Sequence, residues 1–272
     1  MLSIVDIKRE LGKNIYIYPL IPSAIKSNSV DLHASRFAWS ITKGQLLTHE
    51  NTITIPPHDT ALIYTQEAIY VSNRIGGTYQ SKVRLVSNGL GHISGSLDAQ
   101  YIGLSIVAVH NISNEPKELS VGSEFVTVTF DYLRSNDYAD TVSHNNPPGH
   151  TSLITGFEGV RDYWKWEEEN SWCRTKKDLF IKMTESEEYK ECKRQFKKEQ
   201  IRFNRKIWKK RSVKYLSPIA AWVALNYLLS LLAYSVDLGS LSQWSAAAIE
   251  NLSIPLLLSV IIPNIILDFK EP

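Results

Sequence analysis

The sequence predicts a mainly β domain of the barrel or jelly-roll type, followed by a long basic α-helix and two apolar α-helices. Three observations predict this order. Residues 1–135 contain many short β-forming runs separated by turn residues, residues 174–214 contain neither Gly nor Pro, and residues 215–272 contain two apolar runs. The remaining segment, 136–173, contains the chain breaker Asn145-Asn-Pro-Pro-Gly149 and is predicted to be a linker.

The β prediction rests on composition and spacing. Val, Ile, Thr, Phe and Tyr dominate the runs, whereas Gly, Asn, Pro and Ser separate them. Many short strands of this kind favour a barrel or sandwich over alternating strands and helices. A short helix is predicted at Ile4–Leu11. Strands are predicted at Ile15–Pro19, Thr52–Ile55, Ala61–Tyr64, Ile69–Val71, Val83–Val86, Ser105–Val109 and Phe125–Phe130, the last with a clear period of two.

The segment 174–214 is strongly basic. It carries 16 Lys and Arg against 6 Asp and Glu, although the whole chain has a net charge of only +2. Anionic lipid headgroups are the favoured partner, because an apolar run follows directly, and nucleic acid is the competing one. Its apolar residues form one stripe, which predicts packing on the β domain or a helix–helix contact in an oligomer. These residues are Tyr189, Cys192, Phe196, Phe203 and Ile207.

The linker is rich in tryptophan. Trp164, Trp166 and Trp172 surround Glu167–Glu169 and are expected to pack on the β domain or on a neighbouring subunit, with an aromatic ligand platform as the alternative. Cysteine is sparse and lacks metal-ligand spacing, so neither a metal site nor a disulfide framework is expected. The amino terminus lacks a long apolar stretch, so no secretory signal peptide is expected there.

Two apolar runs predict a membrane hairpin. Leu216–Val236 has 21 residues without a charged side chain, enough to span the hydrocarbon core. Leu252–Leu267 has 16 and reaches a sufficient length when extended back through Ala246–Ile249. Basic residues precede the first span, and the connection Asp237–Trp244 has none. The positive-inside rule therefore predicts two spans in the inner membrane with both termini cytoplasmic, the alternative being a buried helical hairpin in a soluble protein.

Polar residues within or beside these spans allow two interpretations. They can join helices by hydrogen bonds, or they can line a pore in an assembled oligomer. The candidate pore-lining residues are Asn226, Ser230, Glu250, Ser259 and Asn264.

Six short motifs in residues 1–132 resemble those of the dCTP deaminase and dUTPase superfamily. They include Leu2–Ile7, Asn28-Ser-Val-Asp-Leu32 and Thr65-Gln-Glu-Ala-Ile69. Gly95-Ser-Leu-Asp-Ala-Gln-Tyr-Ile-Gly103 is similar to the G-x-I-D-x-x-Y-x-G motif, and Asn111 matches the Asn that closes the next strand. The last motif, Val121–Phe125, resembles the turn into the final strand. The resemblance implies a nucleotide ligand and homo-oligomers, commonly trimers, with sites between subunits.

The resemblance also implies where the ligand binds. Asp98 and Tyr101 match the positions that contact the nucleoside in the family. Without the resemblance, a turn Asp and a half-buried Tyr with structural roles are the favoured interpretation. Lys82 and Arg84 alternate with Val83 and are predicted to share one face of a strand, where they can bind phosphate. The complete candidate set is Lys82, Arg84, Ser87, Asn88, Asp98 and Tyr101.

The departures from the family pattern concern its chemistry. The aligned phosphate segment, Ser81–Gly89, has Val83 and Arg84 in place of the serine pair and Ser87 in place of the downstream Arg. The position of the proton-shuttling Glu falls on Ala108, and alanine cannot act as an acid or base. The Gly-rich phosphate arm of dUTPases is also missing. No catalytic residues are therefore expected for deamination.

Three functions fit this combination. The leading hypothesis is a nucleotide- or oligonucleotide-gated membrane effector, because the layout resembles effectors of bacterial nucleotide-signalling antiphage defence. It implies a trimer or tetramer that forms a pore or disrupts the membrane, and a partner nucleotidyltransferase that supplies the ligand. The alternatives are a membrane-tethered nucleotide pyrophosphatase with Asp98 as general base, and a passive membrane scaffold. No cofactor is expected.

Overall fold

The computed structural model describes residues 1–92, 94–134, 169 and 171–235. Its α-helices are α1 (Ile4–Glu10), α2 (Val83–Val86), α3 (Lys176–Glu185) and α4 (Glu187–Ser235), with 3-10 turns at Pro22–Ala24 and Ser171–Arg174. Its strands are β1 (Ile15–Tyr18), β2 (Ser29–Ser40), β3 (Gln45–Leu46), β4 (Thr48–His49), β5 (Thr52–Ile55), β6 (Thr60–Val71), β7 (Ile75–Ser81), β8 (Leu90–His92), β9 (Ser96–Leu97), β10 (Ile102–Asn111), β11 (Lys117–Ser120) and β12 (Glu124–Tyr132).

The strands pair in two antiparallel sheets. The larger sheet has the order β8-β10-β6-β2-β12-β7-β9, and β1 pairs with β6 while β3 pairs with β2. The smaller sheet has the order β11-β5-β4. Strands that are distant in the chain, such as β2 and β12, lie side by side. The prediction of a mainly β domain is confirmed.

The hydrophobic core follows the strand pattern read from the sequence. Val126, Val128 and Phe130 of β12 are fully buried on one face, while Thr127 and Thr129 point to the other. This alternation agrees with the period of two predicted for Phe125–Phe130 from Val126 onward, whereas Phe125, beside an irregularity in the register, is buried as well. Burial of each such side chain contributes about 1.5–3 kcal/mol. The predicted helix at Ile4–Leu11 is also confirmed, since Ser3 and Asp6 form a capping box at the start of α1.

A second hydrophobic cluster covers the other face of the sheet near β1. Tyr16 and Tyr70 lie there, and α3 contributes the fully buried Leu179 and Met183. Trp172 packs edge-on against Tyr18, with 5.1 Å between ring centroids. This contact agrees with the packing predicted for the linker. The structure does not describe Trp164 and Trp166.

Helix α3 also closes the open edge of β1. The backbone N–H of Ile17 donates to the sulfur of Met183 at 3.3 Å, on the side of β1 away from β6. An uncovered strand edge can pair with another chain, and natural proteins often cover such edges with a helix. The segment after the linker is therefore part of the β domain's packing.

The long helix predicted for 174–214 is interrupted once. Ser186 adopts an extended conformation between α3 and α4, and its hydroxyl accepts a hydrogen bond from Tyr189 N. A serine that caps a helix start favours this break. The chain forms two compact units, Met1–Phe196 and Lys197–Pro272. Cys192 and Phe196 are buried in the first unit, whereas Phe203 in the second is 63% exposed.

Three of the predicted strands differ in the structure. Ala61–Tyr64 and Ile69–Val71 belong to one strand, β6, and Val83–Val86 is a single helical turn, α2. Helix α4 includes Asn226 and Ser230, whereas Glu250, Ser259 and Asn264 lie outside the described residues, as does the second predicted span. Among the described residues, no helix combines the length and the apolar character needed to cross a membrane.

Candidate ligand site

The predicted site residues lie on two separate segments. Arg84 lies in α2, which follows β7, and Lys82, Ser87 and Asn88 flank that turn. Asp98 instead follows β9. Strands β7 and β9 are antiparallel, and Gly77 pairs with Leu97. Asp98 is therefore level with Gly76, and Lys82 lies six residues farther along, a distance of about 20 Å at the rise of a β-strand. One chain does not bring the two halves of the predicted site together.

The α2 segment presents polar side chains to solvent. Leu85 is buried and anchors the turn, while Arg84, Ser87 and Asn88 are exposed. The Ser87 hydroxyl donates to the carbonyl of Arg84 at 3.0 Å, and Gly89 ends the turn with a φ of +86°. A guanidinium on such a turn is accessible to a phosphate group.

Lys82 does not share a face with Arg84, so that prediction is wrong. Its ammonium is 2.8 Å from Asp31 and 2.7 Å from Glu124, and its side chain is only 15% exposed. Burial alone would raise the pKa of Asp31, but hydrogen bonds from Lys82 and Thr127 outweigh it and lower that pKa. Lys26 approaches the same two carboxylates at 3.5 and 3.7 Å. Lys82 therefore has a structural role in an ion-pair cluster.

Replacement of Lys82 by Met is expected to lower the free energy of unfolding by about 2 kcal/mol. The substitution leaves the buried carboxylate of Asp31 without its nearest cation, and part of the loss is offset by Lys26 and by solvent near Glu124. Urea unfolding of the purified chain measures the change. Lys43→Met at an exposed site is the control, and equal stabilities for the two variants would contradict the structural role.

The segment after β9 forms the predicted tight turn. Tyr101 N donates to the carbonyl of Asp98 at 3.2 Å, and Gln100 has a φ of +64°. The Asp98 side chain is exposed, so its carboxylate can meet a ligand. The Tyr101 hydroxyl instead points inward and donates to the carbonyl of Leu104 at 2.8 Å, and burial raises its pKa to about 12. Only the partly exposed ring of Tyr101 remains for ligand contact.

A chain of buried hydroxyl groups supports this turn. Ser105 N donates to Thr65 Oγ1 at 3.0 Å, and the hydroxyls of Tyr79 and Ser105 are 2.5 Å apart. Burial raises the pKa of Tyr79, which keeps its hydroxyl protonated and available as a hydrogen-bond partner. No periodicity in the sequence singles out these residues, because each is a hydroxyl residue within a β-forming run.

Ala108 lies on an apolar row of the sheet. The register places it opposite Leu62 of β6, and Leu62 lies opposite Trp39 of β2. The position that the family resemblance assigns to the proton-shuttling Glu therefore has a methyl group, and its neighbours across these strands are also apolar. None of these three side chains can transfer a proton to or from a ligand.

A buried acid–imidazole pair, which no sequence pattern indicates, joins β2 to β6. The carboxylate of Glu67 accepts a hydrogen bond from the backbone N–H of His33 at 2.9 Å and lies 2.5 Å from Nδ1 of the same residue. Both residues are buried. The hydrogen bond with Glu67 raises the pKa of His33 and outweighs desolvation, with further contributions from Glu124 and Asp31.

Stability is expected to depend on pH through this pair. Because the pKa of His33 is raised in the folded state, its stabilising contribution is complete below its ordinary value of about 6.5 and is lost as pH rises through the folded value. Glu67→Gln should lower the free energy of unfolding by about 1–3 kcal/mol, most at acidic pH. Urea unfolding between about pH 5 and 9, which covers the ordinary titration range of histidine, measures this. The exposed His49→Gln variant should keep the original pH profile.

Comparison with curated proteins identifies dCTP deaminases as relatives. The chain is 30% identical over 146 residues to the dCTP deaminase of Pyrococcus furiosus, and the alignment covers 53% of this chain and 91% of the relative. It is 28% identical over 145 residues to the dCTP deaminase of Pyrococcus horikoshii, with 53% and 92% covered. Nearly half of this chain lies outside each alignment. No protein-family model matches the sequence.

Solved structures give partial overlaps. The 2′-deoxycytidine 5′-triphosphate deaminase of Agrobacterium tumefaciens is 11% identical and overlaps 47% of each chain with a TM-score of 0.40. A mutant dUTPase from phage phi11 of Staphylococcus aureus is 13% identical and overlaps 45% of this chain and 93% of that one with a TM-score of 0.34. TM-scores this low do not support a conclusion about this chain.

Proposed function

Because the chain belongs to the dCTP deaminase family, we propose that its β domain binds a nucleotide without deaminating it and acts as the sensor of a membrane-attached effector. The proposed loss of deamination rests on one observation, the apolar row formed by Trp39, Leu62 and Ala108. Deamination requires a group that activates water and protonates the leaving ammonia, and this row has none. The resemblance also places Val83 and Arg84 at the family's serine pair, which further reduces the chemistry expected of the site.

Two exposed groups support retained nucleotide binding. Arg84 presents a guanidinium that can bind phosphate, and Asp98 presents a carboxylate that can accept a hydrogen bond from a sugar hydroxyl. Within one chain Asp98 is level with the start of β7 and Arg84 follows the end of that strand, and these two levels are about 20 Å apart along the backbone. A nucleotide would contact both only if a second copy of the chain supplied one of them. The proposed sensor is therefore a homo-oligomer, such as a trimer or tetramer.

The output of the sensor is proposed from the chain that follows the β domain. Helix α3 packs on β1, and α4 begins after the single residue Ser186. The sequence of α4 continues from basic residues into the uncharged run that begins at Leu216. Membrane attachment rests on that sequence, with anionic lipid at the basic segment and a pore or membrane disruption as the activity. A ligand can gate such an effector only if it binds the active state and the inactive state with different affinities.

Thermal unfolding of the full chain with a panel of nucleotides tests the sensor. Deoxynucleotides, cyclic nucleotides and short oligonucleotides are the ligands, and product analysis of each mixture detects turnover. We expect a nucleotide to raise the unfolding temperature of the chain without being turned over. This stabilisation should be lost in Arg84→Ala. Arg74→Ala, at another exposed arginine, is the matched control. Lys82 is unsuitable for this test, because its replacement destabilises the fold.

The pyrophosphatase alternative has one observation in its favour. Asp98 is an exposed carboxylate on a tight turn, where it can act as a general base toward water. Release of pyrophosphate from dUTP that disappears in Asp98→Asn would favour this enzyme over the sensor. If no ligand in the panel stabilises the chain, the passive scaffold becomes the better explanation.

Membrane attachment has its own test. The full chain expressed in bacteria is expected to stay in the membrane fraction after alkaline carbonate extraction, since an inserted apolar helix resists this treatment. A variant with Leu225→Arg and Leu229→Arg, both within the first apolar run, is expected to move to the soluble fraction, because arginine is costly in the hydrocarbon core. Extraction of the unmodified chain by carbonate would contradict insertion.

A further inference from the structure

A cleft opens where the central strand β6 loses its regular pairing on both sides. On the β2 side, Ala34 pairs with Thr65 and Ala38 pairs with Ile63, so β2 holds two extra residues. On the β10 side, Leu104 pairs with Ala68 and Ile106 pairs with Tyr64, so here β6 holds the extra residues. Bulges of this kind redirect side chains and are common beside functional sites. Between these two irregularities lies a cavity of about 250 Å³.

The walls of this cleft are held by backbone hydrogen bonds. Gly122 N donates to the carbonyl of Ala34 at 2.8 Å, and Ala34 N donates to the carbonyl of Ser123 at 2.9 Å. These two bonds position the β11–β12 turn, which places Val121 on the cleft wall. Thr65 forms the floor, and its hydroxyl donates to the Glu67 carbonyl while it accepts from Ser105 N. The cleft is therefore part of the folded framework.

Hydrogen-bond donors dominate the polar lining. Arg36 lies within the β2 irregularity, next to Ser35, and Gln66 contributes an amide from β6. The Ser35 oxygen accepts from Phe37 N at 3.1 Å, which leaves its own proton to donate. The carboxylate that lines the cleft belongs to Glu169, whose side chain and that of Arg36 are each 53% exposed. Their contact is a single one of 3.4 Å, long enough for a stronger anion to replace it.

We propose that this cleft binds a small organic anion, a phosphate monoester or a carboxylate with a compact apolar body. Arg36, Ser35 and Gln66 donate to the anionic group, and Leu104 and Val121 contact the apolar part. The volume is slightly below the usual range of about 300–1,000 Å³ for ligand pockets, which suits a molecule smaller than a nucleotide. This site shares no residue with the proposed nucleotide contacts at Arg84 and Asp98, so it goes beyond the proposed function.

Calorimetric titration of the full chain with phenyl phosphate and benzoate tests the site. Arg36→Gln is expected to weaken binding of at least one probe by about tenfold, the loss of one charge-assisted hydrogen bond. Glu169→Gln is expected to tighten binding by roughly threefold, because it removes the carboxylate that competes for Arg36. Inorganic phosphate has only the anionic group of phenyl phosphate, and phenol has only its aromatic part. Both should bind more weakly than phenyl phosphate.

Control variants separate this site from the nucleotide site. Arg84→Gln and Arg74→Gln should bind the probes as the unmodified chain does, whatever their effect on nucleotides. Because Arg36 is a surface residue, its replacement should change the unfolding temperature by only a few degrees. Similar unfolding temperatures for all variants show that the fold is intact. Failure of both probes to bind, unchanged binding in Arg36→Gln or weaker binding in Glu169→Gln would each overturn the proposal.

Discussion

Asn111→Asp is expected to lower the free energy of unfolding by about 4 kcal/mol or more. The Asn111 amide nitrogen donates to the carbonyls of Ile55, Pro56 and Glu115 at 2.8–3.0 Å, and its oxygen accepts from the N–H and hydroxyl of Ser113. The residue is fully buried. Aspartate keeps the shape but turns a carboxylate oxygen toward three carbonyl oxygens, which removes a donor that all three share and adds repulsion.

The loss of stability in Asn111→Asp should depend on pH. At acidic pH the new carboxyl group takes up a proton, regains one donor and becomes less destabilising. Urea unfolding of the purified chain is measured at about pH 4.5 and about pH 7.5, the first near the ordinary aspartate pKa of about 3.9 and the second well above it. Asn51→Asp, at an exposed position, is the matched control and should change stability little. A deficit that is the same at both pH values would contradict this account.

Gly77→Ala is expected to cost about 3–5 kcal/mol. An added Cβ at Gly77 would lie far inside contact distance of the backbone carbonyl oxygen of Thr129. Gly77 pairs with Phe130 in the β7–β12 ladder, so the obstacle is a neighbouring strand, which cannot turn away as a flexible side chain can. The clash can be relieved only if β7 and β12 separate. Their separation breaks hydrogen bonds between the strands and disturbs the core beneath Phe130.

The glycine in β8 provides the control for this variant. A Cβ added at Gly91 would meet no heavy atom of a residue beyond its chain neighbours within 4 Å, so Gly91→Ala encounters no obstacle. Alanine also costs less conformational entropy in a strand than glycine, by roughly 0.5–1 kcal/mol. Thermal unfolding should therefore show a large decrease for Gly77→Ala and no decrease for Gly91→Ala. Similar midpoints for the two variants would mean that β7 and β12 can separate at little cost.

The sequence predicts the β domain well wherever pattern and propensity agree. Val126–Phe130 alternates between apolar and polar residues and lies within β12, and the Ser3–Asp6 pair caps the predicted first helix. Val83–Val86 shows where that reasoning fails, because its β-branched residues favour a strand but form a helical turn. Two tertiary contacts override propensity there. Lys82 is fixed by Asp31 and Glu124, and Leu85 is buried in the core.

The candidate site is predictable in part. The turn at Asp98 follows from the motif, because Gly95–Gly103 places an acid between two β segments. The role of Lys82 does not follow, since Asp31 and Glu124 are distant from it in the chain and become neighbours only through β2–β12 pairing. The pair formed by His33 and Glu67 depends in the same way on the packing of β2 against β6. Local patterns carry no information about such long-range partners.

The contact between Ile17 and Met183 also constrains how the protein is made. These residues are 166 positions apart, so a ribosome synthesises the whole β domain before the helix that closes its edge exists. During that interval β1 presents unpaired backbone groups to other nascent chains, and Tyr16 and Tyr70 lack the cover of Leu179. Production of the domain alone, cut before residue 171, would make this interval permanent. The exposed edge of β1, as well as the stability of the fold, would then limit the yield of soluble protein.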